Sequence, residues 1–199
     1  MKTKAVTLIC ALFSTSSALA ASPNWDYIQG GYYIVNISDI DGLDPHGFGI
    51  GGAKSLGKNV FVRGSYSMTN DDIFDGDVDF DQGSAEVGYR YKMTGSTDIY
   101  GTLAYQYAEI SASGPSGNLT SDTDGFGANI GIRSMLTSKI DLEASAGFLR
   151  FDGDSEAIAM LAANYHFHPN VSVGLNFTNI ADVGTLAVQC MNSDLLHFI

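Results

Sequence analysis

Five charged residues occur in segments that alternate between apolar and polar side chains, and each of the five takes a polar position of the alternation. They are Arg63, Glu86, Arg90, Arg133 and Glu143. In a β-strand, successive side chains point to opposite faces, so this spacing places the five charges on one face of a predicted sheet. Arginine and glutamate on neighbouring strands can form charge-assisted hydrogen bonds. The set therefore predicts a ladder of ion pairs.

A second group of carboxylates also follows a spacing of two. Asp75, Asp77, Asp79 and Asp81 form one run, and residues 152–156 hold a similar run. Oxygen ligands of this kind on a flexible loop could hold Ca²⁺ weakly. Neither run matches the EF-hand loop, and solvated acidic loops explain both. We expect the solvated loops, with no metal and no cofactor.

The histidines are the remaining candidates for catalysis. His46 follows Asp44 closely, whereas His166 and His168 flank a predicted turn and His197 lies near the C-terminus. Hydrolysis by a side-chain nucleophile needs a nucleophile, a base and a residue that orients the base. No such set can be named here. The sequence therefore predicts a protein without catalytic activity, and a hydrolase is the less favoured alternative.

Residues 1–20 have the organisation of a secretory signal peptide. Lys2 and Lys4 give it a basic start, an apolar run covers residues 5–13, and Ala18-Leu19-Ala20 forms an A-x-A cleavage pattern. A buried N-terminal helix is the alternative, and the order of basic, apolar and small residues disfavours it. We expect cleavage after Ala20 and one mature domain over residues 21–199.

Composition narrows the class of protein further. The formal charge is −12, and loss of Lys2 and Lys4 with the signal leaves −14, which argues against nucleic acid as a partner. Cys190 is the only cysteine of residues 21–199, so no internal disulfide can form. No apolar run reaches the ~20 residues of a transmembrane helix. An exported chain with 23 glycines, 4 prolines and 11% aromatic residues suits a bacterial outer-membrane barrel.

Ten segments of alternating residues predict ten strands that would position these side chains. Their lengths approach the ~9–11 residues of a tilted membrane strand. Short turns and longer, mostly acidic connections alternate between them, as in outer-membrane barrels. We predict an all-β fold, a transmembrane antiparallel up-and-down β-barrel. The predicted strands are 25–36, 46–56, 60–68, 80–91, 98–110, 124–134, 140–151, 156–167, 171–179 and 183–190.

The two faces of these strands indicate which side meets lipid. In the fourth strand Val87, Tyr89 and Tyr91 share the apolar face, opposite Glu86 and Arg90. Mid-strand charges would be costly in the core of a sandwich, whereas they can line the polar lumen of a barrel. The ladder is then either a plug or the selectivity filter of a narrow pore. Side chains nearly fill a barrel of about eight strands, and channels open at about 16–18, so ten strands favour the plug.

The Ala- and Met-rich segment 155–167 also suits a helix capped by Ser155. Ala157, Leu161 and Tyr165 keep the period of two, and the neighbouring segments need a partner, so we predict a strand. A helix here would leave an odd number of strands, and a barrel of eight would be the alternative.

Three parts of the sequence carry a resemblance to a known family. They are residues 25–32, residues 79–82 leading to 87–89, and residues 124–126 leading to 131–134. With these segments the layout resembles the small outer-membrane β-barrel proteins of proteobacteria, the OmpX/Ail-like class in the broad sense. It is most similar to the xanthomonad Ax-type small barrels. The resemblance covers nearly all of the mature chain and implies an outer-membrane barrel, but no motif in it specifies a ligand.

Residues 189–199 depart from the ending that this resemblance implies. Such barrels usually end on an alternating strand with a terminal aromatic residue, which the assembly machinery reads. Leu186 and Val188 begin this pattern, but it is lost at Asn192-Ser193-Asp194, and Ile199 replaces the aromatic residue. We expect the end to be divergent and barrel closure to be weaker.

The sequence therefore predicts a non-enzymatic outer-membrane protein of a Gram-negative bacterium. It would support envelope integrity or make surface contacts through acidic extracellular loops, and a narrow porin-like passive channel is the alternative. The expected partners are outer-membrane lipid, lipopolysaccharide and the barrel-assembly machinery. The protein is expected to be a monomer.

Overall fold

The strands of the protein form one closed sheet. The computed structural model describes residues 22–37, 44–73, 76–114, 117–151, 153–180 and 183–193. The predicted signal peptide lies outside these residues and stays a prediction. The ten strands are β1 (Tyr27–Ile37), β2 (His46–Ser55), β3 (Val60–Ile73), β4 (Gly76–Lys92), β5 (Thr97–Gly114), β6 (Gly117–Met135), β7 (Ile140–Phe151), β8 (Asp154–His168), β9 (Val171–Ile180) and β10 (Val183–Asn192).

Each strand pairs with its neighbours in sequence, and β1 pairs with β10 to close the barrel. Every pair is antiparallel, and the closing pair runs from Ile28 opposite Asn192 to Ile37 opposite Val183. Closure removes the free edges that an open sheet would expose to lipid, where unpaired backbone groups are costly. The predicted fold class and the ten strands are confirmed.

The alternation of side chains separates a lipid face from a lumen. Phe48 is 73% exposed and Ile130 is 74% exposed, although both are large and apolar. Buried positions hold many polar residues instead, among them Arg133, Asp141 and Gln189. A soluble protein would reverse this arrangement, so the outer band is a surface for lipid. Among the described residues, no helix is long and apolar enough to cross a membrane.

The loop ends of β3 to β6 correct one sequence expectation. The acidic connection between the third and fourth strands was expected to be a loop over residues 69–79, but Asn70 pairs with Asp79 and Asp71 with Val78. The run Asp77-Val78-Asp79-Phe80-Asp81 alternates like a strand, and this alternation continues the hairpin. β5 and β6 likewise pair as far as Gly114 and Gly117. These ends, residues 69–73, 76–81, 107–114 and 117–124, are called the acidic extension below.

The segment with helical propensity is a strand, as predicted. Ala159 of β8 lies opposite Ala146 of β7 and Asn179 of β9, so the segment is paired on both sides. An isolated helix would leave both neighbours unpaired in the membrane, and that cost exceeds the small propensity difference between Ala and β-branched residues.

The closing strand also corrects an expectation. The alternation was expected to fail in residues 189–199, but Gln189 pairs with Gly31 and Met191 with Gln29. Gln189 and Met191 are buried in the lumen, whereas Cys190 points outward, so the period of two continues to the end of β10. Residues 189–192 are a competent part of the closing strand, because partner strands on both sides fix their register. Residues 194–199 lie outside the described part.

Candidate functional site in the lumen

Arg63 links two walls of the barrel. It lies on β3, where Glu86 of β4 is its direct neighbour in the sheet. Its Nη2 donates to Glu86 Oε2 at 2.9 Å, and its Nη1 donates to Glu143 Oε1 at 2.7 Å. Glu143 is on β7, so the second bond crosses the bore. One guanidinium thereby uses its fork to hold two carboxylates from different walls.

Glu143 joins this pair to a second arginine. The hydroxyl of Tyr100 donates to Glu143 Oε1 at 2.6 Å, and Arg133 Nε lies 3.7 Å from Glu143 Oε2. Arg133 is 1% exposed and donates through Nη2 to Asp141 Oδ2 at 2.6 Å. The charges therefore form one connected chain, called the ion-pair ladder below: Glu86, Arg63, Glu143, Arg133 and Asp141.

The ladder includes four of the five charged residues singled out in the sequence. The fifth, Arg90, instead pairs with Asp98 of β5 through Nη1 and Oδ2 at 3.3 Å. Asp98 and Asp141 were not singled out, although both have lumen parity in their strands.

Trp25 closes the bore at the turn rim, which is the end of the barrel with the short turns; the end with the long connections is called the loop rim. It was assigned to the first strand, but it precedes β1 and is 1% exposed. Its indole Nε1 donates to Asp98 Oδ2 at 2.8 Å. Its ring centroid lies 4.4 Å from that of Phe61 and 5.2 Å from that of Tyr100. The guanidinium groups of Arg133 and Arg90 lie 5.2 Å and 5.7 Å from the centre of the indole.

Two glycines make room for this aromatic cluster. A Cβ at Gly88 would lie 2.3 Å from the ring of Phe61, and one at Gly131 would lie 2.5 Å from the ring of Tyr100. Both glycines have lumen parity on strands next to those aromatic residues. The missing side chains let Phe61 and Tyr100 lie flat against the wall and reach Trp25. Together the cluster and the ladder fill the turn-side part of the lumen.

The acidic run lies on the outer face of the acidic extension. Asp77 and Asp79 are exposed, Asp81 lies opposite Glu109 of β5, and Asp75 lies outside the described residues. The hydroxyl of Tyr107 donates to Glu109 Oε2 at 2.5 Å. This hydrogen bond to a carboxylate raises the pKa of Tyr107 to about 12. Among the described residues, no three His, Cys, Asp or Glu side chains are grouped to hold a metal ion.

The described histidines do not form a catalytic set. His46 lies at the loop rim, and its Nδ1 is 3.3 Å from the backbone oxygen of Asp44. His166 of β8 faces the lumen of the barrel near the turn rim. Its Nε2 is buried and has no hydrogen-bond partner among the described residues. The geometry thus brings no base to a nucleophile in the part of the chain that is described.

Comparison with known proteins agrees with this architecture. Residues 6–177 match the family described as outer membrane protein beta-barrel domain. The chain is similar to the solved structure of Ail, the attachment invasion locus protein of Yersinia pestis, at 16% identity and a TM-score of 0.46, covering 84% of this chain and 96% of that one.

Two further solved structures are similar at low sequence identity. The N-terminal barrel of OprF from Pseudomonas aeruginosa matches at 12% identity and a TM-score of 0.46, over 85% of this chain and 99% of that one. Neisserial surface protein A matches at 12% identity and a TM-score of 0.44, over 85% and 97%. No curated protein matches in sequence. The family match confirms the expected resemblance to outer-membrane β-barrel proteins, and the chain belongs to the outer-membrane β-barrel domain family.

Proposed function

We propose that this protein is a closed, non-enzymatic barrel of the bacterial outer membrane, exported by a cleaved signal peptide. It supports envelope integrity as a monomer and makes surface contacts through the acidic extension. The observation that carries the closed lumen is the ion-pair ladder, which crosses the bore and is capped by Trp25. A closed barrel passes no ions, so single-channel recording tests it against the alternative of a narrow passive channel.

The chemistry of the ladder supports a plug rather than a filter. A selectivity filter needs charges that exchange partners with a passing ion. Here Arg63 already donates to both Glu86 and Glu143, and Arg133 donates to Asp141 through two nitrogens. Breaking such a buried pair by removing one partner typically costs about 3–5 kcal/mol. A solute that displaced the ladder would have to supply that free energy.

The acidic extension supports contact with the surrounding surface. Its described residues include eight acidic side chains and no lysine or arginine: Asp71, Asp72, Asp77, Asp79, Asp81, Glu109, Asp122 and Asp124. It continues the barrel on the side of the long connections, where outer-membrane barrels face the exterior. Divalent cations can join carboxylates to the phosphates of lipopolysaccharide. We infer that such bridges hold lipopolysaccharide around the extension.

This contact can be tested with the protein in nanodiscs and purified lipopolysaccharide. The variant Asp79→Asn/Asp81→Asn/Glu109→Gln removes three neighbouring charges with little change of shape. We expect Mg²⁺-dependent binding by the wild type, reversal by a chelator, and weaker binding by the variant. Asp154→Asn/Glu156→Gln, which removes two charges at another loop end, is the control. If binding persists in the presence of the chelator and the triple variant binds as well as the wild type, the contact does not depend on cation bridges.

A further inference from the structure

A cavity remains in the lumen between the ion-pair ladder and the loop rim. Its volume is about 170 Å³, and residues from all ten strands line it. Its lining reaches Ile180 and Thr185, which lie at the loop ends of β9 and β10. Arg63, Glu86 and Glu143 form its floor. A single water needs only about 10–15 Å³ of such volume, so the cavity can admit a small solute.

Several carboxamide side chains line this cavity, and their amide groups make no hydrogen bond to the rest of the described protein. Five of them lie on five different strands. Among the residues that the structure describes, none of the five gives or receives a hydrogen bond through its amide group. Each amide offers two donor hydrogens and an acceptor oxygen, which water or a solute in the cavity can bind. The five are Gln29, Gln82, Gln106, Asn164 and Gln189.

A sixth amide adds an independent sign of a missing partner. Asn129 also lines the cavity and is more than nine-tenths buried. Its Nδ2 donates to Thr102, but its Oδ1 is buried without a hydrogen-bond partner. A buried acceptor without a partner is costly. The Oδ1 atom lies beside Gly147 in the wall, so a molecule in the cavity could donate to it only after the Asn129 side chain turns.

The floor of the cavity offers no free positive charge to a ligand. Arg63 is saturated by two carboxylates, Glu143 already accepts from Arg63 and Tyr100, and Glu86 keeps one oxygen, Oε1, without a hydrogen bond from the described residues. An anionic solute would lose its hydration without gaining an opposite charge. A neutral solute escapes this penalty, because amides and hydroxyls can replace its bonds to water.

Part of the wall formed by β8 and β9 is apolar. Ile158, Met160 and Ile180 lie close together at its loop end, across the cavity from the amides of β4 and β5. A molecule that fits both walls carries hydroxyl groups at its edge and C–H groups on one face. A pyranose ring has this arrangement.

We propose that the cavity binds a neutral, polyhydroxylated solute of about monosaccharide size, which enters from the loop rim. The ladder blocks the way beyond, so the solute is held rather than passed. This site goes beyond the proposed role in envelope integrity, and it stands whether or not lipopolysaccharide binds to the acidic extension.

Isotope-labelled protein in an amine-oxide detergent tests the proposal, because sugar detergents would compete for the cavity. D-glucose is the probe, with D-gluconate as an anionic control of similar size. We expect glucose to shift the side-chain amide signals of Gln106 and Gln189 with a dissociation constant in the millimolar range. Gluconate should bind at least about ten-fold more weakly, which corresponds to about 1.4 kcal/mol.

Two neighbouring alanines provide a matched pair of variants. Ala162 lines the cavity, whereas Ala163 is exposed on the lipid face of the same strand. Ala162→Trp should fill the cavity and abolish the glucose shifts, and Ala163→Trp should leave them unchanged. If Ala162→Trp does not fold, Gln106→Leu removes one amide and should weaken binding several-fold. The proposal is overturned if glucose causes no shifts, if gluconate binds as well as glucose, or if the Ala162→Trp variant still shows the glucose shifts.

Discussion

At the residue scale, the charged side chains of the ion-pair ladder each pair with a specific partner in the lumen. Alternation in the sequence was enough to place Arg63, Glu86 and Glu143 on one face. The contact between Arg63 and Glu86 follows from the register of one hairpin. The contact between Arg63 and Glu143 crosses the bore, and no local pattern encodes it. The sequence therefore predicts the members of the ladder better than their pairing.

Removing Arg63 tests this pairing. Arg63→Leu leaves Glu86 without its partner and takes one of two arginines from Glu143, so we expect the free energy of unfolding to fall by about 3–5 kcal/mol. Urea unfolding of the protein in lipid vesicles measures the change. Arg150→Leu is the control, because Arg150 is exposed near the loop rim and should change stability by less than about 0.5 kcal/mol. Equal effects of the two substitutions would contradict the ladder.

Tyr107 gives a pH dependence with a definite sign. Its hydrogen bond to Glu109 raises the folded-state pKa to about 12, above the usual value of about 10 for tyrosine. The contribution of this bond is fully present below the pKa of the unfolded chain and is lost as pH rises through the folded value. Glu109→Gln should lower the pKa of Tyr107 towards its usual value, as measured by titration of its ring signals. A pKa that does not move would show that Glu109 is not the cause.

At the element scale, strand existence was easier to predict than strand length. The ten alternating segments correspond to the ten strands, but β3 to β6 continue into residues that composition suggested were loops. Aspartate is rare in strands, and its abundance in residues 71–81 outweighed the alternation of Val78 and Phe80. In the same way, polar residues at the end of β10 suggested that the closing strand had ended. They are compatible with a strand, because the lumen of the barrel is polar.

The closing strand can be tested with proline. Gln189 lies within β10 and pairs with strands on both sides. Gln189→Pro removes a backbone donor from the closed sheet and fixes φ, so we expect a large loss of folded, heat-modifiable barrel on gels. Cys190→Ala on the lipid face should leave the yield unchanged. A normal yield from the proline variant would mean that β10 does not close the barrel as described.

The lipid face of β5 gives a second test at this scale. Leu103 is exposed on the outside of the barrel, and its neighbours Thr102 and Ala104 face the lumen. Leu103→Arg would place a charge in lipid, which costs about 2–4 kcal/mol at the bilayer midplane. Leu103→Phe keeps the face apolar and should be tolerated. An arginine variant as stable as the phenylalanine variant in vesicle unfolding would reverse the assignment of inside and outside.

At the scale of the whole molecule, three zones follow one another along the barrel. Trp25 and the ion-pair ladder fill the turn side, the amide-lined cavity lies beyond them, and the acidic extension continues past the loop rim. The family match and the closed ten-stranded sheet place the chain among outer-membrane barrels. Trp25 could not have been predicted as a cap, since nothing in its local sequence shows that the residues before β1 fold into the bore.

Conductance of the protein lacking residues 1–20, reconstituted in a planar bilayer, tests the closed lumen most directly. Trp25→Ala/Arg63→Ala removes the cap and the residue that bridges the walls, so it serves as the variant expected to open. We predict no stepwise conductance for the wild type and resolvable steps for the double variant. Reproducible ohmic steps from the correctly folded wild type would contradict the account and identify the protein as a channel.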